Sequence, residues 1–296
     1  MSQTTRQRRL ALSRRLALPV PAPTVRVGRG EPLLLLHPFT TSHDVWAEVV
    51  PTLAHEHEVV AATLPGHWGG PALRRRDVSL TAYADGVEAL LDELGWEAAH
   101  LVGNSIGGWL AFELARRGRA LSVTAIAPAG SWTRWSREEI VVGVKFLGLY
   151  GASLLGNALG EHVTRLPLRP VVLKAVSHRP GRVSRERADN LLRAATRCPS
   201  FFAFILSELR GAVTTDVTGL DAEVPVRLVL CEKDLLLPPD RYGTPYVEAM
   251  PAADVVVLEG LGHIPMFEDP DRVAATILEH VRVHRLSDGA DRADTA

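Results

Sequence analysis

Short, continuously apolar runs recur along the chain, and longer amphipathic segments separate them. Such runs are typical of strands that a parallel sheet buries on both faces. The longer segments place apolar residues three or four positions apart, as helices do; the clearest extends from Ser79 to Leu94, before Gly95, and another is predicted to begin at Pro270. The alternation predicts an α/β fold with a mostly parallel, doubly wound sheet. The predicted strands are 25–27, Leu33–Leu36, Val59–Ala62, Ala99–Val102, Val123–Ala127, Val226–Leu230 and Val255–Leu258.

The alternation stops between Gly130 and Asp216, where helical runs with connecting Gly and Pro residues replace the strands. We interpret this span as a helical cap inserted over the strand ends. Its most apolar part, Ile140 to Gly160, approaches the length of a membrane span. Five glycines and the central Lys145 favour cap helices over membrane insertion.

The N-terminal segment carries five arginines and no acidic residue before Val25. Adjacent arginines faintly resemble a twin-arginine export signal, but the long apolar stretch that such a signal needs is missing, which favours a flexible basic arm. The predicted organisation is a basic arm at 1–24, a core domain of 25–129 and 217–285, a helical cap at 130–216 and a disordered tail at 286–296.

The composition is that of a soluble globular protein. At 296 residues with 46% hydrophobic content, the chain is long enough to bury one large core plus an insertion. The formal net charge of -1 provides no basic field that would favour nucleic acid. Cys198 and Cys231 form no disulfide framework, so a cytoplasmic location is expected. The spacing of His55 and His57 suggests a metal pair, but a third ligand at metal-site spacing is missing, so a solvated helix end is predicted there.

A Gly-x-Ser-x-Gly pattern lies at the boundary between a predicted strand and a predicted helix. Gly103 and Gly107 flank Ser105, Val102 ends the apolar run before them, and apolar residues at helical spacing follow. A nucleophile elbow needs this context, because the serine occupies a strained turn and small neighbours let the strand and helix backbones approach closely. We therefore predict that Ser105 is a catalytic nucleophile.

A serine nucleophile needs a base and an acid that orients the base. Asp234 follows one predicted strand, and His263 follows the next. Because the ends of parallel strands lie along one edge of a sheet, both are expected close to Ser105. Glu232 and Asp240 are rival acids, each less well placed than Asp234.

Four motifs in this order resemble those of the α/β-hydrolase superfamily, most closely its cap-bearing, esterase-type members. They are His37-Pro38-Phe39, Pro65-Gly66-His67, the elbow from Gly103 to Gly107, and Gly262-His263-Ile264-Pro265. The resemblance covers about Val25 to His284 and implies the α/β-hydrolase fold with an inserted helical cap.

The first motif departs from the family pattern, since Pro38 replaces the usual glycine. Proline has no N–H group to donate. In the family the donor to the oxyanion is usually the following residue, so the resemblance assigns the oxyanion hole to the N–H groups of Phe39 and Ile106. His37 and His67 are expected to hydrogen-bond loop backbone.

The resemblance implies a serine hydrolase that cleaves a carboxylic ester or related acyl substrate through Ser105, His263 and Asp234, without a cofactor or metal. A serine at the elbow argues against the haloalkane dehalogenase and epoxide hydrolase branches, which use a carboxylate nucleophile. Two alternatives stay open. One is a carbon–carbon bond hydrolase of ring-fission products, and the other is a ligand-binding relative without efficient turnover.

The expected partner is a lipophilic small molecule rather than nucleic acid or a membrane. Aromatic side chains of the cap are candidates for lining an apolar pocket, although many of them serve only as cap core. The candidate pocket residues are His37, Trp132, Trp135, Phe146 and Phe202.

Overall fold

The computed structural model describes residues 24–159, 173–210 and 215–284. The predicted disordered tail lies outside these residues. So does the predicted basic arm, except for Thr24, which begins the first strand.

Seven strands in the described part of the chain form a single sheet. They are β1 (Thr24–Val27), β2 (Glu31–Leu36), β3 (His57–Ala62), β4 (Ala99–Asn104), β5 (Ala120–Ile126), β6 (Val226–Cys231) and β7 (Asp254–Leu258). Their order across the sheet is β1-β3-β2-β4-β5-β6-β7. Only β1 is antiparallel to its neighbour, and the other pairs are parallel. The predicted α/β fold with a mostly parallel sheet is confirmed.

Helices connect the strands and cover the sheet. The α-helices of the described residues are α1 (Val50–Leu53), α2 (Leu80–Leu94), α3 (Ile106–Arg116), α4 (Arg137–Leu159), α5 (Arg185–Thr196), α6 (Phe201–Leu209), α7 (Leu220–Glu223), α8 (Pro239–Tyr242), α9 (Thr244–Ala249) and α10 (Pro270–Val283). Short 3-10 helices lie at His43–Trp46, Arg75–Asp77, Pro180–Arg182 and Pro265–Phe267.

Strand β2 shows why the apolar runs are continuous. Successive side chains of a strand point to opposite faces of the sheet. Accordingly, Leu34 and Leu36 join one buried core cluster, and Leu33 and Leu35 join the other. Both faces of the sheet are covered, so every position of the run is apolar.

Helix α2 begins and ends where its sequence signals lie. The Ser79 side chain accepts a hydrogen bond from the backbone N–H of Ala82 at 3.1 Å and thereby caps the first turn. Gly95 adopts the left-handed conformation with φ of 72° and closes the last turn. Tyr83 and Val87 pack into the core cluster that also contains Leu34.

The described residues between β5 and β6 contain helices and no strand. Helices α4, α5 and α6 all fall within the span 130–216 predicted as a cap. The division into core and cap stays a prediction, although the position of these helices in the sequence fits it.

One local prediction is wrong. His57 does not belong to a solvated helix end, because it begins strand β3 and is fully buried. Its ring contacts the ring of His100 on β4, with centroids 5.9 Å apart. The neighbouring residues in the sequence do not show that other parts of the fold would bury a polar residue at the start of a strand.

Candidate active site

Ser105 occupies a strained turn between β4 and α3. Its backbone φ of 59° and ψ of -118° are rarely adopted by residues with a side chain. The Ser105 N–H donates to the carbonyl of Ile126 at 2.9 Å, and the Ser105 carbonyl accepts from Trp109 N–H at 3.1 Å. These bonds anchor the turn to the next strand and to the new helix.

Two glycines allow the turn to form. A Cβ atom on Gly103 would lie 2.0 Å from the carbonyl oxygen of Gly107, and one on Gly107 would lie 2.2 Å from that of Leu36. Both distances are far below van der Waals contact. The strand and the helix therefore approach as closely as the Gly-x-Ser-x-Gly pattern predicts.

Asp234 and His263 meet at the same edge of the sheet. Asp234 follows β6 and His263 follows β7, and the His263 Nδ1 lies 2.6 Å from Asp234 Oδ2, with both side chains buried. The other carboxylate oxygen of Asp234 accepts hydrogen bonds from the N–H groups of Leu236 and Leu237, each at 2.8 Å. These bonds fix the carboxylate, which in turn fixes the imidazole.

The remaining ring nitrogen of His263, Nε2, is buried and has no hydrogen-bond partner among the described residues. It is the nitrogen that a catalytic base would use. Hydrogen bonds of an unliganded active site often form only when substrate binds, so an unengaged Nε2 is compatible with this role.

Asn104 connects the elbow to the histidine loop. Its Nδ2 donates to the backbone carbonyl of His263 at 3.1 Å and to that of Ile126 at 3.0 Å. The residue preceding Ser105 therefore holds His263 next to the elbow. This role was not predicted from the sequence, where its sign is a polar side chain at the end of a mostly apolar strand.

Glu268 also orders the histidine loop and was also missed. Its buried carboxylate accepts hydrogen bonds from the N–H groups of Gly262 and His178, both at 2.9 Å, and of Arg179 at 3.0 Å. It thus joins the loop of His263 to the segment that precedes α5. Nothing in the local sequence distinguishes Glu268 from a surface carboxylate.

The rival acids face solvent. Glu232 is exposed and pairs with Lys233 at 2.6 Å, and that contact holds the pKa of Glu232 below its ordinary value. Asp240 is exposed on α8. Neither contacts His263.

His37 is fully buried, and its hydrogen bonds point to a structural role. Its Nε2 accepts from Leu64 N–H at 2.9 Å, so the proton is on Nδ1, which lies 2.8 Å from the carbonyl of Pro38. Burial, and next the neighbouring His67, keep the pKa of His37 well below its ordinary value. A neutral imidazole with both nitrogens engaged stabilises the turn that contains Phe39.

That turn places the Phe39 side chain beside the elbow. Thr41 N–H donates to the carbonyl of Pro38 at 3.2 Å, and Thr40 has a positive φ of 65°. The assignment of the Phe39 and Ile106 N–H groups to an oxyanion hole stays a prediction.

A small apolar cavity of about 50 Å³ opens beside Ser105. Its walls come from the elbow, the Phe39 turn and helices α4 and α6. The lining residues are Phe39, Ser105, Ile106, Trp109, Ala129, Trp132, Glu139, Val142, Gly143, Phe146, Phe204, Ile205 and Glu208.

The cavity includes two of the predicted pocket residues, Trp132 and Phe146, and leaves out three. His37 is buried behind the Phe39 turn. Trp135 and Phe202 are 57% and 59% exposed and do not line this cavity. Phe202 lies on the outer face of α6, where it contacts Phe201 with ring centroids 5.0 Å apart.

Helical periodicity explains which residues do line the cavity. In α4, positions 139, 142, 143 and 146 face it, and in α6, positions 204, 205 and 208 do. Residues three and four apart share one face of a helix. Aromatic residues were selected from the sequence without regard to this spacing, so Glu139 and Glu208 were not predicted.

Helix α4 also contacts the loop that carries Asp234. The Lys145 ammonium donates to the backbone carbonyls of Leu235 at 2.9 Å and Leu236 at 2.8 Å. Phe146, the next residue, lines the cavity. One helix therefore touches both the cavity and the acid loop.

Within the described ranges, no cluster of His, Cys, Asp or Glu side chains has the arrangement of a metal site. None of the helices described there is long and apolar enough to cross a membrane. The cytoplasmic location stays a prediction.

The comparison with protein families agrees with this geometry. The model of the alpha/beta hydrolase family matches residues 33–276. The chain belongs to this family. This confirms the predicted superfamily, and the protein is an α/β-hydrolase enzyme.

Relatives of this α/β-hydrolase carry different activity names. It is 43% identical to the Mycobacterium tuberculosis protein named epoxide hydrolase EphH over 209 residues, which cover 69% of this chain and 95% of that protein. It is 28% identical to a pimeloyl-[acyl-carrier protein] methyl ester esterase of Aeromonas hydrophila over 261 residues, covering 86% and 96% of the two chains. A solved thermophilic esterase from Thermogutta terrifontis shares its fold, with a TM-score of 0.69, 22% identity and coverage of 89% of this chain and 93% of the esterase.

Proposed function

We propose that the protein is a serine hydrolase of a carboxylic ester or related acyl substrate. The observation that carries the proposal is the side-chain arrangement at the elbow. His263 is held by Asp234 at one ring nitrogen, is unengaged at the other, and is tied through Asn104 to the strained Ser105.

In the proposed reaction, His263 Nε2 takes the hydroxyl proton of Ser105 as the oxygen attacks the substrate carbonyl. The N–H groups of Phe39 and Ile106 stabilise the oxyanion, assisted by the N-terminal end of α3. His263 then returns the proton to the leaving alcohol, and an acyl-enzyme remains on Ser105. Water activated by His263 releases the acid and restores the serine.

The cavity supports a lipophilic substrate. Most of its lining is aromatic or aliphatic, and helices α4 and α6 of the proposed cap form the wall opposite the elbow. Burial of apolar substrate surface there would provide much of the binding free energy. The apolar wall and the serine lie in one cavity, so an acyl or alcohol chain can fill it while its carbonyl stays near Ser105.

Epoxide hydrolysis is the second candidate, because a relative at 43% identity carries that name. A serine at the elbow favours an ester substrate over an epoxide. If the Ser105 oxygen opened an epoxide, the product would be an alkyl ether of serine, which has no carbonyl for water to attack. An ester substrate instead leaves an acyl-serine, which water can hydrolyse.

The test compares turnover of a p-nitrophenyl ester and an aliphatic epoxide by the wild-type protein and by Ser105→Ala. The matched control is Ser207→Ala, since the Ser207 hydroxyl bonds the carbonyl of Phe204 within its own helix. We expect ester turnover in the wild type and control and none above background in Ser105→Ala. Epoxide turnover that survives in Ser105→Ala would contradict the proposal, and turnover restricted to ring-fission diketones would support the carbon–carbon hydrolase instead.

A further inference from the structure

Two carboxylates interrupt the apolar lining of the cavity. Glu139 on α4 is buried, and Glu208 on α6 faces the same space. The proposed triad uses neither of them. Because burying a carboxyl group in an apolar wall costs free energy, such a pair calls for a binding partner.

Hydrogen bonds from the protein satisfy only some of the carboxyl oxygens of Glu139 and Glu208. The Glu139 Oε2 accepts the backbone N–H of Trp135. The Oε1 of Glu208 is shielded from solvent and has no hydrogen-bond partner among the described residues. No lysine or arginine stands among the cavity-lining residues that the structure describes.

Electrostatics shows that the two carboxyl groups interact. Burial, and next the charge of Glu139, raise the pKa of Glu208 to about 8. Glu208 therefore favours its protonated form at neutral pH. A cation placed between the two groups would favour release of that proton and restore a second negative charge.

Aromatic rings form much of the cavity lining around the two glutamates. Phe39, Trp109, Trp132, Phe146 and Phe204 line the cavity together with the two glutamates. The faces of aromatic rings attract organic cations, most strongly when water is excluded. A neutral alcohol would gain the apolar contacts alone, and an anion would be repelled by the charge of Glu139.

We propose that Glu139 and Glu208 form a cation subsite, so that the preferred substrate carries an alkylammonium group on the chain that fills the cavity. The substrate role of this subsite rests on the proposed function. Cation binding by the cavity itself requires no turnover and can be measured separately.

The test is calorimetric binding of three probes of equal chain length to the full-length protein: hexylammonium, hexan-1-ol and hexanoate. We expect hexylammonium to bind at least about tenfold more tightly than hexanol, in line with a hydrogen bond to a charged group, and hexanoate to bind most weakly. In Glu208→Gln, which keeps the side-chain shape, this preference should fall by about the same factor while hexanol affinity is unchanged. Glu93→Gln, an exposed change on α2, is the matched control and should behave as wild type.

Equal affinity of the wild-type protein for hexylammonium and hexanol would overturn the subsite, as would an unchanged preference in a folded Glu208→Gln protein. The first comparison needs no variant, so it stands even if Glu208→Gln folds poorly. Failure of the ester-hydrolase proposal would appear in a separate measurement, as ester turnover retained by Ser105→Ala. If the wild-type protein prefers hexylammonium to hexanol and Ser105→Ala retains ester turnover, the result would support the subsite and reject the serine mechanism.

Discussion

Ser105 combines an unfavourable backbone with neighbours that permit it. Its positive φ costs on the order of 1–3 kcal/mol, and the hydrogen bonds to Ile126 and Trp109 hold it in place. Gly103 and Gly107 leave room for the strand and helix to meet. The strain is concentrated where the proposed chemistry needs an accessible hydroxyl.

The first prediction concerns the acid. Asp234→Asn keeps the side-chain shape but favours the wrong tautomer of His263 and leaves its imidazolium without a counter-charge. We expect kcat for a p-nitrophenyl ester to fall by orders of magnitude, up to about 10⁴, with a much smaller change in KM. Steady-state kinetics checks this. Asp240→Asn, an exposed change nearby in sequence, is the control and should retain full kcat, and a severe loss there instead would move the acid to Asp240.

The candidate triad could be proposed from the sequence because Ser105, Asp234 and His263 each lie on a loop that follows an apolar run, and parallel strands end along one edge of the sheet. Asn104 and Glu268 were missed for the opposite reason. Their partners are backbone groups of His263 and Gly262 that only the folded loops bring within reach. A carboxylate or an amide shows nothing of such contacts in its own neighbourhood of the sequence.

At the scale of elements, α4 and α6 determine the shape of the cavity. Each helix presents one face to it, with residues three and four positions apart. Both helices were predicted as helical runs, but their orientation was not, and Phe202 was placed in the pocket although it lies on the outer face of α6. Orientation depends on packing against the core, which periodicity alone does not specify.

The second prediction uses the difference between the cavity-facing side and the outer side of these helices. Each methylene added to an ester chain should contribute up to about 0.8 kcal/mol until the cavity is full, which raises kcat/KM about fourfold per carbon. Phe146→Asn makes the wall polar and should flatten that rise while leaving turnover of an acetyl ester nearly unchanged. Measurement of kcat/KM across a chain-length series checks this.

The matched control is Phe202→Asn, which changes an exposed aromatic residue and should keep the wild-type slope. A flat profile in the wild-type protein would show that apolar burial does not determine specificity. Thermal unfolding of both variants verifies that they are folded.

At the scale of the whole molecule, the proposed catalytic residues and two buried histidines lie at opposite edges of the sheet. Ser105, Asp234 and His263 follow the ends of strands, whereas the buried His57 and His100 lie at or near their starts. The strand pattern predicted this polarity of the sheet. It did not predict the buried histidines, since burial of a polar residue at a strand start depends on which other elements cover that edge.

Burial lowers the pKa of His67, His100 and His280 to about 4. These groups stay neutral in the folded protein, whereas the unfolded chain binds their protons below about pH 6.5. Their contribution to stability is therefore complete above pH 6.5 and is lost as the pH falls towards 4. Glu208 opposes this trend, because its pKa of about 8 means that the folded state holds a proton that the unfolded chain releases.

The third prediction follows from this balance of histidines with lowered pKa values, to which His37 and His43 also belong, against one glutamate. The free energy of unfolding should fall between pH 6.5 and pH 5, and each uncompensated histidine contributes about 1.4 kcal/mol per pH unit. Urea denaturation across this range measures the slope. His280→Asn removes one titrating group, so unfolding should take up about one proton fewer. The free energy of unfolding should then depend less steeply on pH. A stability independent of pH in this window would contradict the neutral, buried state of the histidines.

The central claim is that Ser105 forms an acyl-enzyme. The most direct test is rapid quenching of the wild-type protein with p-nitrophenyl acetate, followed by mass spectrometry of its peptides. The account predicts a burst of about one nitrophenol per active site and an acetyl group on the peptide containing Ser105, both absent from Ser105→Ala. Turnover without an adduct, or an acetyl group on a different residue that forms as fast as turnover requires, would contradict it.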